Sequence, residues 1–280
     1  MLEQLKYRNH VNEVFEFGKN GIFVDMSDIH DYEWSVKSKN NRIASLNYAI
    51  SKRKLPIIIC CSAEEKGVEA RNKLLEITEK DVLAMEHGRI IIGNYYFKCF
   101  VTKSEKKDYL ASKRMMKATL TLTTDFPFWV RETTHTFNSS LPAVMSVAAS
   151  AGKNLDFSFD HPFDYHSDID SSTLNNSGFV PANFRMVIYG PCTNPAVYIA
   201  GHTYQVNCNV AVNEYLTIDS SLKKVFLTSN TGVVTNMFSK RNRESYIFEK
   251  IPSGANAVGW SGAFGFDVVL LEERSGPKWT

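Results

Sequence analysis

One stretch of this chain can form a long helix, and the rest is cut into runs of strand length. Between residues 64 and 86 the apolar residues Val68, Leu75 and Val82 recur every seven, and Leu74, Ile77 and Leu83 widen the stripe. That is the repeat of an amphipathic helix. Ser62 with Glu65 three positions on forms a capping-box pattern, and Gly88 predicts a C-terminal stop. Gly67 and Thr78 weaken the segment, which leaves a break near Asp81 open. Elsewhere Gly, Pro and Asn punctuate short β-rich runs. In the first half these are residues 55–61, 89–92, 95–102 and 118–124, with Gly93-Asn94 as a two-residue hairpin turn. In the second half they are residues 155–159, 185–189, 196–200, 204–210, 215–219, 224–227 and 266–271. The expected fold class is mostly β with one helix in the first domain, and a β-sandwich in the second.

Of the 280 residues 44% are hydrophobic, enough for a sizeable core, which excludes disorder as the main state. Lys and Arg number 32 against 30 Asp and Glu, a balance that argues against a dedicated nucleic-acid binder. The charge is unevenly spread. Residues 1–131 hold 22 basic and 17 acidic side chains, and residues 132–280 hold 10 and 13. The change follows Pro127 and precedes a polar run at 132–140, which predicts two domains, 1–131 and 132–280, with a boundary or linker there. The N-terminus has no apolar signal core, and no apolar run approaches the ~20 residues that span a bilayer. Five cysteines without CxxC spacing suit a protein folded in a reducing cytoplasm.

Catalytic signals are thin. Asp160, His161, Asp164, His166, Asp168 and Asp170 are the richest group of metal-capable side chains, but Pro162 interrupts them and the two His are five apart. No GxSxG elbow is present, and Cys192 reads more readily as a small apolar residue than as a nucleophile. Gly254, Gly259, Gly262 and Gly265 lack the strand-to-helix context of a phosphate cradle and read as turns and bulges. No catalytic residue, cofactor or metal is assigned. Residues 102–117 form a basic stretch that is either a solvated face or an arm meeting a partner. Its candidate contact residues are Lys103, Lys106, Lys107, Tyr109, Lys113 and Arg114.

A series of short motifs then carries a resemblance over nearly the whole chain. In the first half they are LPIII at 55–59, EARNKL at 69–74, EKDVL at 79–83, GNYYFKC at 93–99 and TTDFPFWV at 123–130. In the second they are FDHPFDY at 159–165, FRMVIYGP at 184–191, NEYLTID at 213–219, IFEKIP at 247–252 and the end of the chain at 272–279. In this order they resemble the distal tail proteins of long-tailed phages. The resemblance implies a non-enzymatic baseplate hub at the virion tail tip, assembled in the host cytoplasm. It implies a first domain that closes as a homo-hexameric ring on the tail tube and a galectin-like second domain that projects outward. Implied partners are the tail tube protein, the tail-associated lysin or tail-tip protein, the tape measure protein and in some cases a receptor-binding protein, with no membrane and no specific nucleic acid. It recasts FDHPFDY as a loop rather than a metal site, and the basic stretch as a ring or tube contact.

Galectins read sugars with a His-x-Asn-x-Arg strand and a stacking Trp, and neither His202-Thr203-Tyr204 nor Trp260-Ser261-Gly262 reproduces that pattern. No sugar site is therefore carried over. Two other readings stay open at this point: a carbohydrate-binding module for cell-surface attachment, built on Trp260 or another exposed aromatic, and a metal-dependent hydrolase built on Asp160, His161, Asp164 and His166.

Overall fold

The computed structural model describes residues 5–19, 21–47, 49–109, 114–139 and 170–277. The chain divides into two compact units, residues 1–131 with 273–280, and residues 132–272. Among the described residues it is mostly β with one α-helix, α1 (Glu64–Ala84). No described helix is long and apolar enough to cross a membrane.

In the first unit the long strand Tyr95–Tyr109 serves two sets of partners. Its first residues pair with Gly88–Ile92, which in turn pairs with Leu5–Arg8 and, through it, Val14–Glu16. Its remaining residues pair with Met115–Thr124, which pairs with Ser51–Cys60 and, through it, Ile22–Val24. Alternation decides what faces the core. In Ser51–Cys60 the buried side chains are Arg53, Leu55, Ile57 and Ile59. Leu55, Ile57 and Ile59 join Phe15, Ile90, Phe97, Leu122 and Trp129 in one apolar cluster, to which α1 adds Ala70, Leu74 and Ile77. Arg53 keeps its place in that row because its guanidinium lies 4.3 Å from the Phe97 ring centroid and donates to the Ile29 carbonyl. Burial lowers its pKa to about 10.

The helix forms where its repeat places it, but three details differ from the sequence expectation. Its buried face is Gly67, Ala70, Leu74, Ile77, Thr78 and Asp81. The heptad Leu75 and Val82, with Leu83, lies on the solvent side. The N-cap is Ala63 without a side-chain cap bond, and Glu64 and Glu65 supply the first-turn negative charge instead. The C-terminal stop is Met85 in the left-handed region, φ 54°, not Gly88. Gly88 opens the next strand and is glycine for a packing reason: a Cβ there would sit 2.1 Å from Tyr7 Oη and 2.2 Å from Asp81 Oδ2.

In the second unit two sheets share one core. One runs Val234–Asn236, Lys224–Thr228, Tyr215–Asp219, Asn183–Tyr189 and Phe266–Arg274. The other runs Asp170–Asn176, Gly254–Trp260, Ala196–Ile199 and His202–Gln205. Phe184, Ile188, Leu216, Val258, Trp260 and Phe266 fill the space between them, a β-sandwich. The run expected at 204–210 is two pieces, because Cys208 N turns back to the Val206 carbonyl and Asn209–Val210 pairs instead with Cys192–Thr193. Gly254 and Gly259 belong to a strand rather than to turns, while Gly262 is a turn residue at φ 72°. Residues 132–137 continue the strand Trp129–Phe137 and are not an irregular linker. The run expected at 155–159 lies outside the described residues.

Candidate interaction surfaces

The basic stretch is the end of a β-hairpin. Lys103 and Lys106 are exposed on the strand Tyr95–Tyr109, and the backbones of Lys107 and Tyr109 belong to the same strand. Arg114 stands just before the return strand, its Nε donating to the Cys61 carbonyl at 3.3 Å, and Lys113 lies outside the described residues. Lys103 Nζ is 2.7 Å from Glu105 Oε1. Past residue 99 one edge of this strand pairs with Met115–Thr124, and among the described residues no strand pairs with the other. The register shifts twice along the paired edge, between Val101 and Lys103 and between Lys106 and Asp108. Lysines and bulges are devices that keep an open strand edge from pairing indiscriminately.

A second hairpin left no periodic signal long enough to find. Ser35–Lys39 pairs with Arg42–Asn47 across Asn40-Asn41, both at positive φ (54° and 58°). That dipeptide, between two short alternating runs, was the available clue. Val36 stands opposite Leu46, and a register shift after Lys37 brings Ile43 opposite Ser38, on the same face. Lys37, Lys39 and Arg42 take the other face. None of its described side chains is buried; Ile43 is 68% exposed.

The third surface is the outer side of α1, where Leu75 is 49% and Leu83 79% exposed. What holds the helix lies beneath. Asp81, fully buried, accepts a bond from Tyr7 Oη at Oδ2 (2.5 Å) and from the His10 amide at Oδ1 (2.8 Å), and His10 Nδ1 lies 2.6 Å from the same Oδ1. Burial, and then the bond to Asp81, push the Tyr7 phenol far above its usual range, so it stays a neutral donor. Nearby, Asn9 Nδ2 donates to Glu13 Oε2 at 2.7 Å and Lys80 Nζ reaches Glu13 Oε1 at 2.7 Å.

Lys6 and Glu16 face each other across Leu5–Arg8 and Val14–Glu16, with Nζ to Oε1 at 2.8 Å, and Lys19 bonds the other oxygen. The bonds from Lys19 and then Lys6 lower the Glu16 pKa to about 2. Because the folded value lies below the ordinary 4.5, this stabilisation is present above pH 4.5 and is lost as pH falls toward 2. The site is exposed, so the effect is small and salt-sensitive. NMR titration of the full chain should place the Glu16 midpoint near 2 at low salt, and Lys19→Met should raise it. A wild-type midpoint at the ordinary carboxylate value contradicts this.

Asp160, His161, Asp164, His166 and Asp168 lie outside the described residues. Among the described residues no group of three or more His, Cys, Asp or Glu is placed to hold a metal ion. Burial raises the Cys192 thiol to about 11 and the Cys99 thiol to about 12, which disfavours the nucleophilic thiolate. Trp260 is 2% exposed, and its Nε1 donates to the Phe264 carbonyl at 3.0 Å, so its ring cannot stack on a sugar. Tyr198, opposite Gly259 in the same sheet, is an exposed aromatic there.

No family model and no curated protein sequence matches this chain. Solved structures do. The Dit protein of phage SPP1 superimposes with a TM-score of 0.58 at 9% identity, over 96% of this chain and 99% of that one. The chain has the Dit fold. A chain of the phage P2 baseplate in its activated conformation with Ca gives a TM-score of 0.65 at 10% identity, over 99% of this chain and all of that one. The same baseplate with Sr gives the same values. The SPP1 protein is described as a paradigm of the hub adsorption apparatus in phages that infect Gram-positive hosts. At such low identity the Dit fold is kept while most side chains differ, so no residue role transfers with it.

Proposed function

We propose that this chain is a structural hub protein of a phage tail tip, without catalytic activity. It forms a hexameric ring that joins the tail tube to the baseplate and its adsorption apparatus. The observation that carries this reading is the end-to-end match of fold, over 96% of this chain and 99% of SPP1 Dit. The ordered series of distal-tail motifs in the sequence supports it independently. The galectin-like second domain then projects outward. The first domain meets the tail tube protein, the tail-tip or lysin protein and the tape measure protein, with the basic hairpin of Lys103, Lys106, Lys107, Tyr109, Lys113 and Arg114 as a contact arm.

Light scattering of the purified chain over a range of concentrations tests the ring. Six copies of 31.7 kDa give a closed species of roughly 190 kDa. That mass is the expected result. A chain that is monomeric throughout, and that immunogold labelling does not find at the tail tip of purified particles, overturns the proposal.

A further inference from the structure

The first unit carries two apolar surfaces that it leaves unburied, and their charges are opposite. One is the hairpin of Ser35–Lys39 and Arg42–Asn47. Val36, Ile43 and Leu46 share one face and are all exposed, and Lys37, Lys39 and Arg42 line the other with no acidic residue in either strand. A two-stranded ribbon is marginal in water unless something covers it. A ribbon this narrow also lets long basic stems reach past its edges.

The other is the solvent side of α1. At 100° per residue Leu75, Val82 and Leu83 fall on one stripe with Glu76 and Glu79, and Glu86 follows just past the left-handed Met85 that ends the helix; all six are exposed. Lys66, Lys73 and Lys80 fall roughly 40–80° past Glu76, beside the buried face, where Lys80 is held by Glu13, and half-buried Arg71, about 40° from Leu75 on the other side, bonds the Gly67 carbonyl through Nε. Between those flanking cations the charged residues of the stripe are all acidic, and the ribbon is apolar and basic.

We infer that the hairpin of one copy docks on the outer stripe of α1 of the next copy, as a head-to-tail contact between identical chains. Two different patches on one unit, each complementary to the other, make a heterologous interface, the kind that closes into a ring when the rotation allows. The contact rests on the ring-hub reading and names its surfaces. Opposite charges across the contact set register and reject the like-charged pairings of hairpin on hairpin or helix on helix.

The test is a charge swap on the full chain, read as mass against concentration up to about 0.5 mM by light scattering. K37E/K39E/R42E and E76K/E79K/E86K alter only exposed side chains, so both should fold, which circular dichroism checks. Each is expected to weaken self-association at least tenfold, and the sixfold variant combining them is expected to restore it. Association unchanged in both triple variants overturns the contact and leaves the hub reading intact. So does weakening that the combined variant fails to rescue. A wild-type chain that stays monomeric also overturns the contact, and immunogold labelling of tails then judges the hub reading separately.

Discussion

Asp81→Ala is expected to cost the first unit about 3–5 kcal/mol of stability, the range for removing one partner of a buried charged network. The carboxylate is fully buried and ties α1 to the N-terminal hairpin through the Tyr7 hydroxyl and the His10 amide. Without it the Tyr7 hydroxyl stays buried with no acceptor in place, and that desolvation is the larger part of the cost. Urea unfolding followed by circular dichroism measures the loss. Glu79→Ala, two residues away and exposed, should change stability by no more than ~0.5 kcal/mol. Equal effects for the two variants would contradict the network as the anchor of the helix.

Trp260→Ala should destabilise the second unit by a similar amount, about 3–5 kcal/mol for a buried aromatic truncated to alanine. Its ring meets Phe266 edge-on at 5.3 Å and Phe137 at 5.8 Å between centroids, in the middle of the core. The unit's thermal unfolding should move down by several degrees or more. A melt shifted by less than 1 °C would mean the indole is not packed as described. The same burial decides how a glycan test must be run. Loss of sugar binding on Trp260→Ala would report unfolding, whereas Tyr198→Ala removes an exposed ring at little cost to the fold.

Period and punctuation made most of the β architecture legible. The alternation of Leu and Thr over 118–124 is visible by eye, the apolar run at 55–61 marks the second half of Ser51–Cys60, and the strand Tyr215–Asp219 is found to the residue. Leu5–Arg8 and Val14–Glu16 were missed because three or four residues carry no measurable period. Gly254–Trp260 was missed because Gly and Ala add no apolar signal, and its ladder to Asp170–Asn176 holds it instead. The helix was found but turned. Val and Leu at heptad spacing outweighed Gly67, Ala70, Thr78 and Asp81, yet small residues approach a sheet closely and a buried Asp is invisible to hydropathy. The sequence marked residues 102–117 as a basic stretch, and the structure places Lys103 and Lys106 exposed on the strand Tyr95–Tyr109. The sequence did not signal the Ser35–Asn47 ribbon, whose apolar side chains are too few and too interrupted to stand out.

Beyond residue 99 the strand Tyr95–Tyr109 carries lysines and shifts register twice against its paired neighbour, and both features bear on what its open edge accepts. A flat open edge grows by extending its own hydrogen-bond ladder, with no stopping point and with release only by unfolding. Here lysines and bulges disfavour that direction. In the proposed ring, copies would then meet through side chains, whose attractions weaken with ionic strength, and addition would end when the circle closes. On that reading the subunit would accumulate without forming fibres.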